Sequence, residues 1–187
     1  MTYRKHIKTF AFITALLAAA LVAVLATRSP ASVTGKVVSD LGGKTAPNIK
    51  GADIASDKQI SLDSMLQSHK YVLIDFFASW CTTCQQDMAQ LEAFQFHNSK
   101  KVSILGVDID DSAANGIAFL RSYGAKWPAI EDSNGPDSIA VTYGVASPPE
   151  MFLIAPDRKV VAYFVGGATE NQLNAALDDL QKANLKN

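Results

Sequence analysis

Tyr71-Val-Leu-Ile-Asp-Phe-Phe-Ala-Ser-Trp-Cys-Thr-Thr-Cys84 decides how this chain of 187 residues is read. From Tyr71 to Phe77 every residue except Asp75 is aromatic, aliphatic or β-branched, the pattern of a strand buried on both faces. Beyond the turn, Cys84, Met88 and Leu91 recur at i, i+4 and i+7, one stripe of a helix turned toward a core. Strand, turn and helix together place Cys81 at a helix N-terminus, where unpaired N–H groups and the positive end of the helix dipole stabilise an anion. A thiolate is such an anion. Cys81 therefore reads as a nucleophile with a lowered pKa, and Cys84, a turn further in, as a more buried and more thiol-like resolving group.

Other uses of a cysteine pair fit less well. Cys81 and Cys84 are the only cysteines in the chain, so a zinc site would need two further ligands, and His69 and His97 are isolated residues that read as surface histidines. A purely structural disulfide closing so short a loop removes little entropy from the unfolded chain.

A composition of 48% hydrophobic and 19% charged residues suits one globular domain with a short appendage. The appendage is residues 1–28: Arg4, Lys5 and Lys8 precede an uncharged run from Phe10 to Thr27, closed by Arg28 and Pro30. As a helix that run would rise about 27 Å, close to the hydrocarbon thickness of a membrane, which favours a single-pass anchor in the inner membrane. Val24-Leu25-Ala26 has the small residues that a signal peptidase accepts, so a cleaved leader and a soluble periplasmic protein is the other reading. Either way the basic residues stay cytoplasmic and the remainder is exported to the periplasm or cell exterior. Residues 29–45 read as a linker, and 46–187 as the domain.

With four Lys/Arg and no Asp/Glu in 1–28, residues 29–187 hold 13 basic against 18 acidic side chains, a net of −5. That balance offers no basic footprint for nucleic acid and points to protein partners. One closely spaced cysteine pair in an exported chain, rather than several bridges, marks a protein that handles disulfides.

Along the domain, the Ile49 to Ile60 stretch reads as a short hairpin, and Ser61 as the cap of a brief helix burying Leu62, Met65 and Leu66. Val102 to Asp108 reads as a second buried strand. A helix capped by Ser112 or Asp111 then runs through Ile117, Leu120 and Tyr123 and stops at Gly124. Trp127 to Ile130 is a short extended piece, Asp132 to Gly135 a turn, and Ser138 to Tyr143 a short helix. Met151 to Ile154 and Val160 to Val165 form an antiparallel hairpin, and a capping box from Thr169 to Gln172 opens a helix with Leu173, Leu177 and Leu180 on one face. The expected fold is α/β, a mixed central sheet flanked by helices on both faces.

Trp-Cys-x-x-Cys between strand and helix, with Pro149 before a later hairpin strand, resembles the thioredoxin superfamily. More narrowly, Ala46-Pro47, Ile74 to Cys84, Trp127-Pro128 and Tyr143 to Ile154 are similar to the exported TlpA/ResA/CcmG (DsbE) thiol–disulfide oxidoreductases. The resemblance implies a thioredoxin-like fold and a cis peptide at Pro149. It also implies partner binding by Trp80, Pro149 and the strand-like backbone of Pro148, and no cofactor beyond the cysteine pair. It gives Asp75 the role of taking the Cys84 proton, although ResA- and CcmG-like relatives usually carry an uncharged residue there. Asp75 falls within the buried run, so it should be protonated at neutral pH or hydrogen-bonded. Asp87 falls where those relatives place an acid that tunes the cysteines; a solvated first-turn carboxylate is the alternative.

The function implied is reduction of exported protein disulfides, such as those of apocytochrome c, with electrons from a membrane protein of the CcdA or DsbD type. Thr82-Thr83 lacks both the proline of many relatives and the histidine of DsbA, which leaves a disulfide-forming oxidant as a competing reading. A Sco-like copper module would need a histidine late in the chain, and His97 is the last one. A peroxiredoxin-type peroxidase would need its cysteine in a Pro/Thr-rich loop that is absent.

Overall fold

A computed structural model describes residues 41–68, 71–132 and 135–184. The apolar leader, the linker as far as residue 40, His69 and the middle of the 132–135 turn lie outside these. Among the described residues no helix is long and apolar enough to cross a membrane.

The chain runs β1 (Lys50–Ala52), β2 (Gln59–Ser61), α1 (Leu62–Ser68), β3 (Tyr71–Phe77), α2 (Thr82–Asn98), β4 (Val102–Asp108) and α3 (Ala113–Ser122). It continues through β5 (Ala129–Glu131), α4 (Ile139–Tyr143), β6 (Glu150–Ile154), β7 (Val160–Val165) and α5 (Glu170–Asn184). β1 and β2 form the expected hairpin, and the other five strands make one mixed sheet in the order β5-β4-β3-β6-β7. β3 lies parallel to β4 and antiparallel to β6, so it has a partner along both edges, and all seven of its residues are buried.

Strand alternation divides the core in two. Tyr71, Leu73 and Phe77 meet Cys84, Met88, Leu91 and Phe94 of α2, with Leu173 and Leu177 of α5. Val72, Ile74 and Phe76 meet Leu62, Met65 and Leu66 of α1 and Tyr143 of α4. Asp75 therefore projects on the face that carries α2 and the cysteines.

Capping follows the sequence closely. The Ser61, Ser112 and Ser138 hydroxyls accept from the N–H of Ser64, Asn115 and Val141, and Thr169 and Gln172 close their box. One boundary needs correction. Residues 42–45, read as the end of the linker, are part of the fold: Gly43 N donates to Val160 O, Val160 N to Lys44 O, and Thr45 bridges Lys159. The helix after β4 is capped by Ser112 and ends at Tyr123 before Gly124, as expected; its buried face is Gly116, Phe119 and Leu120, with Asp108 packed against Gly116.

That contact is testable. A Cβ on Gly116 would stand 2.0 Å from Asp108 Oδ2, and Asp108 is wholly buried. Alanine ordinarily stabilises a helix interior by up to about 1 kcal/mol over glycine. Here the overpacking, of about 1–3 kcal/mol, is larger. Gly116→Ala is expected to lower the urea midpoint; a raised midpoint would show that the carboxyl moves aside freely.

Candidate active site

β3 delivers the chain to the C-terminal edge of the sheet, and Ala78-Ser-Trp80 turns it into α2. Cys81 is the N-cap of that helix, with extended backbone, and its Sγ accepts the Cys84 N–H at 3.0 Å. Cys81 and Cys84 are joined as a disulfide. Their burial is nearly equal, 5% and 3% exposed, so the contrast expected between them is one of position, cap against first turn. Trp80 stands beside them with 57% of its surface exposed.

A second loop grips the first. The Ser79 N–H donates to Asp111 Oδ2 at 2.8 Å and the Trp80 indole N–H to the Asp110 carbonyl at 3.0 Å, with Asp110 in the left-handed region at φ 51°. Slight burial of Asp111 is outweighed by bonds from Ser79, Asn115 and Ser112, which hold its carboxyl below the usual range. Sequence reasoning missed this grip, since nothing local marks which carboxylate a loop 32 residues away will use.

Two acids stand on the same side of the sheet as the pair, Asp75 from β3 and Asp87 from α2, close enough for their charges to interact. Burial, and after it the charge of Asp87, raise Asp75 to about 7, which favours the neutral carboxyl far more than in an exposed aspartate. Burial raises Asp87 to about 6. Asp87 Oδ2 is buried with no hydrogen-bond partner among the described residues, which does not fit a solvated first-turn carboxylate. Its room comes from Gly167, at φ 94°, where a Cβ would fall 1.9 Å from Oδ2. The signal for it in the sequence is the Gly166-Gly167 pair that follows a strand.

On the other side, Pro149 precedes β6 and the Pro148–Pro149 bond is cis, as the resemblance implied. The register sets Glu150 opposite Phe76, which brings Pro149 to the same sheet edge as the cysteine turn. Gly166 N donates to Pro149 O at 2.9 Å, tying this loop to the glycine pair over Asp87. His97 lies in the last turn of α2, paired with Glu170 at 2.7 Å. Among the described residues no group of three or more His, Cys, Asp or Glu side chains is placed to hold a metal ion.

A family model described as Redoxin matches residues 41–180. The thiol-disulfide oxidoreductase ResA of Bacillus anthracis is 34% identical over 136 residues, 72% of this chain and 76% of that protein. A thiol:disulfide interchange protein DsbE homolog of Paracoccus denitrificans is 29% identical over 143 residues, 75% of this chain and 76% of that one. A solved thiol-disulfide oxidoreductase from Bacteroides fragilis superposes with a TM-score of 0.62 at 23% identity, covering 73% of this chain and 99% of that one. At that identity the superposition speaks for the fold.

The buried acid has a thermodynamic signature. With its folded pKa at about 7, above the ordinary 3.8, Asp75 leaves stability intact below about pH 4 and takes it away as pH rises through 7. Asp75→Asn is expected to stabilise the protein by on the order of 2–4 kcal/mol at pH 8 and little at pH 4, measured by urea unfolding. An equal gain at both values would contradict an ionising buried carboxyl.

Proposed function

The chain belongs to the Redoxin family, among the thioredoxin-fold thiol–disulfide oxidoreductases of the ResA and DsbE type, and we propose that it serves there as an exported reductant of protein disulfides. The observation that carries the reading is the pair of acids on the cysteine face, Asp75 buried and Asp87 half-buried, beside a Cys81 sulfur that caps a 17-residue helix and takes the Cys84 N–H. The disulfide described is then the product form of the pair.

In the reduced form the Cys81 thiolate attacks one sulfur of a substrate disulfide. That S–S bond breaks, the departing thiolate takes a proton, and a mixed disulfide joins Cys81 to the substrate. Cys84 gives its proton to Asp75, attacks the Cys81 sulfur and releases the second substrate thiolate, which is protonated in turn. Two electrons pass to the substrate and the Cys81–Cys84 bond is re-formed. A dithiol of a membrane protein of CcdA or DsbD type returns them.

Direction follows from charge. A stabilised thiolate makes a pair oxidising, as in DsbA. Ionised Asp75 and Asp87 oppose a second negative charge near Cys84 and favour the disulfide, which makes the dithiol the better donor. This supports reductant over oxidant. Trp80 and the Pro148-Pro149 turn form the docking edge for the partner chain. Pro148 has no N–H, so it offers the partner its carbonyl alone and half of the strand-like pairing that the family resemblance implies. Oxidised apocytochrome c is the substrate favoured by the similarity to ResA and DsbE, and the apolar leader is the proposed membrane tether.

Equilibration with glutathione tests the direction. A potential near thioredoxin's, about −270 mV, is expected, and one near DsbA's, about −120 mV, would overturn the reductant reading. In single-turnover reactions, release of substrate from the mixed disulfide is expected to quicken as pH rises through 7. Asp75→Asn is expected to slow that step about tenfold or more and flatten its pH profile. An unchanged profile would remove Asp75 from the proton path.

A further inference from the structure

Glu150 is the first residue after the cis-proline, and its side chain is buried at 5% exposure with no cationic partner among the described residues. A carboxylate so placed needs hydrogen bonds to both oxygens. Oε1 accepts the Ala146 N–H at 3.2 Å and Oε2 accepts the Tyr163 hydroxyl.

Geometry explains the pairing. Glu150 and Phe152 alternate onto one face of β6, and Tyr163 of β7 stands opposite Phe152, so the Tyr163 hydroxyl reaches Glu150 on the diagonal. The tyrosine ring lies 4.5 Å from that of Phe152, centroid to centroid, which fixes its direction. Burial, followed by the Glu150 hydrogen bond and charge, holds the phenol above its ordinary range, so it remains a donor.

The Ala146 bond closes the loop from the other end. Val145 N donates to Ala140 O at the close of α4, Ala146 is held by Glu150, and Pro149 O is held by Gly166 N. Between those anchors only Ser147 and Pro148 are left, the first exposed and the second half-buried. A loop restrained at both ends gives each incoming chain the same backbone, and a restrained loop loses less entropy on binding than a mobile one.

We propose that Glu150, locked by the Tyr163 hydroxyl, is a positioning residue for partner docking: it holds Ala146 so that the Pro148 carbonyl meets the partner's backbone N–H in one fixed orientation. This rests on the reductase reading above. Tyr163→Phe leaves the ring on Phe152 and removes only the lock.

The test compares an oxidised Cys-x-x-Cys-His peptide with oxidised glutathione as substrates. Tyr163→Phe is expected to raise KM for the peptide about fivefold, the worth of one ordinary hydrogen bond, with little change in kcat. The glutathione equilibrium of the cysteine pair should stay where it is. Glu150→Ala is expected to do more, and Glu150→Gln, which keeps an acceptor for Ala146, to recover most of that loss. Variants that melt earlier but keep the peptide KM would reduce Glu150 to a purely structural part. A displaced equilibrium, or equal losses toward peptide and glutathione, would place its action on the cysteines instead. An unmutated protein that exchanges with glutathione yet ignores the peptide would overturn the reductase reading, and the docking role with it.

Discussion

The site depends on the bond from the Cys84 N–H to the Cys81 sulfur. It exists only because a strand ends and a helix begins within the turn after Phe77. That junction is stiff because β3 is flanked by β4 and β6 and covered on both faces. A helix cap is ordinarily an oxygen of Ser, Thr, Asp or Asn; a sulfur in that place acquires the electrostatic benefit of the position, which favours its anionic form.

Against the helix stands negative charge. Asp75 reaches the cysteine face because it occupies an odd position in a strand whose odd positions face α2, and Asp87 joins it from the first turns of that helix. Burial holds both carboxyls above their ordinary range, Asp87 to about 6 and Asp75 to about 7, so the negative charge on this face grows as pH rises through that range. On the proposed reading the dipole acts on the cap sulfur and the acids take the proton of the resolving one, which would separate attack from resolution.

Local periodicity made β3, α2, the capping residues and the β6–β7 hairpin legible, since each depends on neighbours within a few residues. The burial of Asp75 was legible for the same reason. What stayed hidden depends on contacts across the fold. Gly167 making room for Asp87, Asp111 holding Ser79, and Tyr163 locking Glu150 all join residues from different elements, and no spacing in the sequence announces them. The close approach of Asp108 to Gly116 is hidden for the same reason. Residues 42–45 looked like linker because their partners at 159–160 are over a hundred residues away.

The account is tested most directly by the rate at which each cysteine of the reduced protein is alkylated as a function of pH. Cys81 is expected to ionise clearly below the roughly 8.5 of a free cysteine and Cys84 above it. A Cys81 that titrates with or above the free thiol would contradict the helix cap as the source of its reactivity.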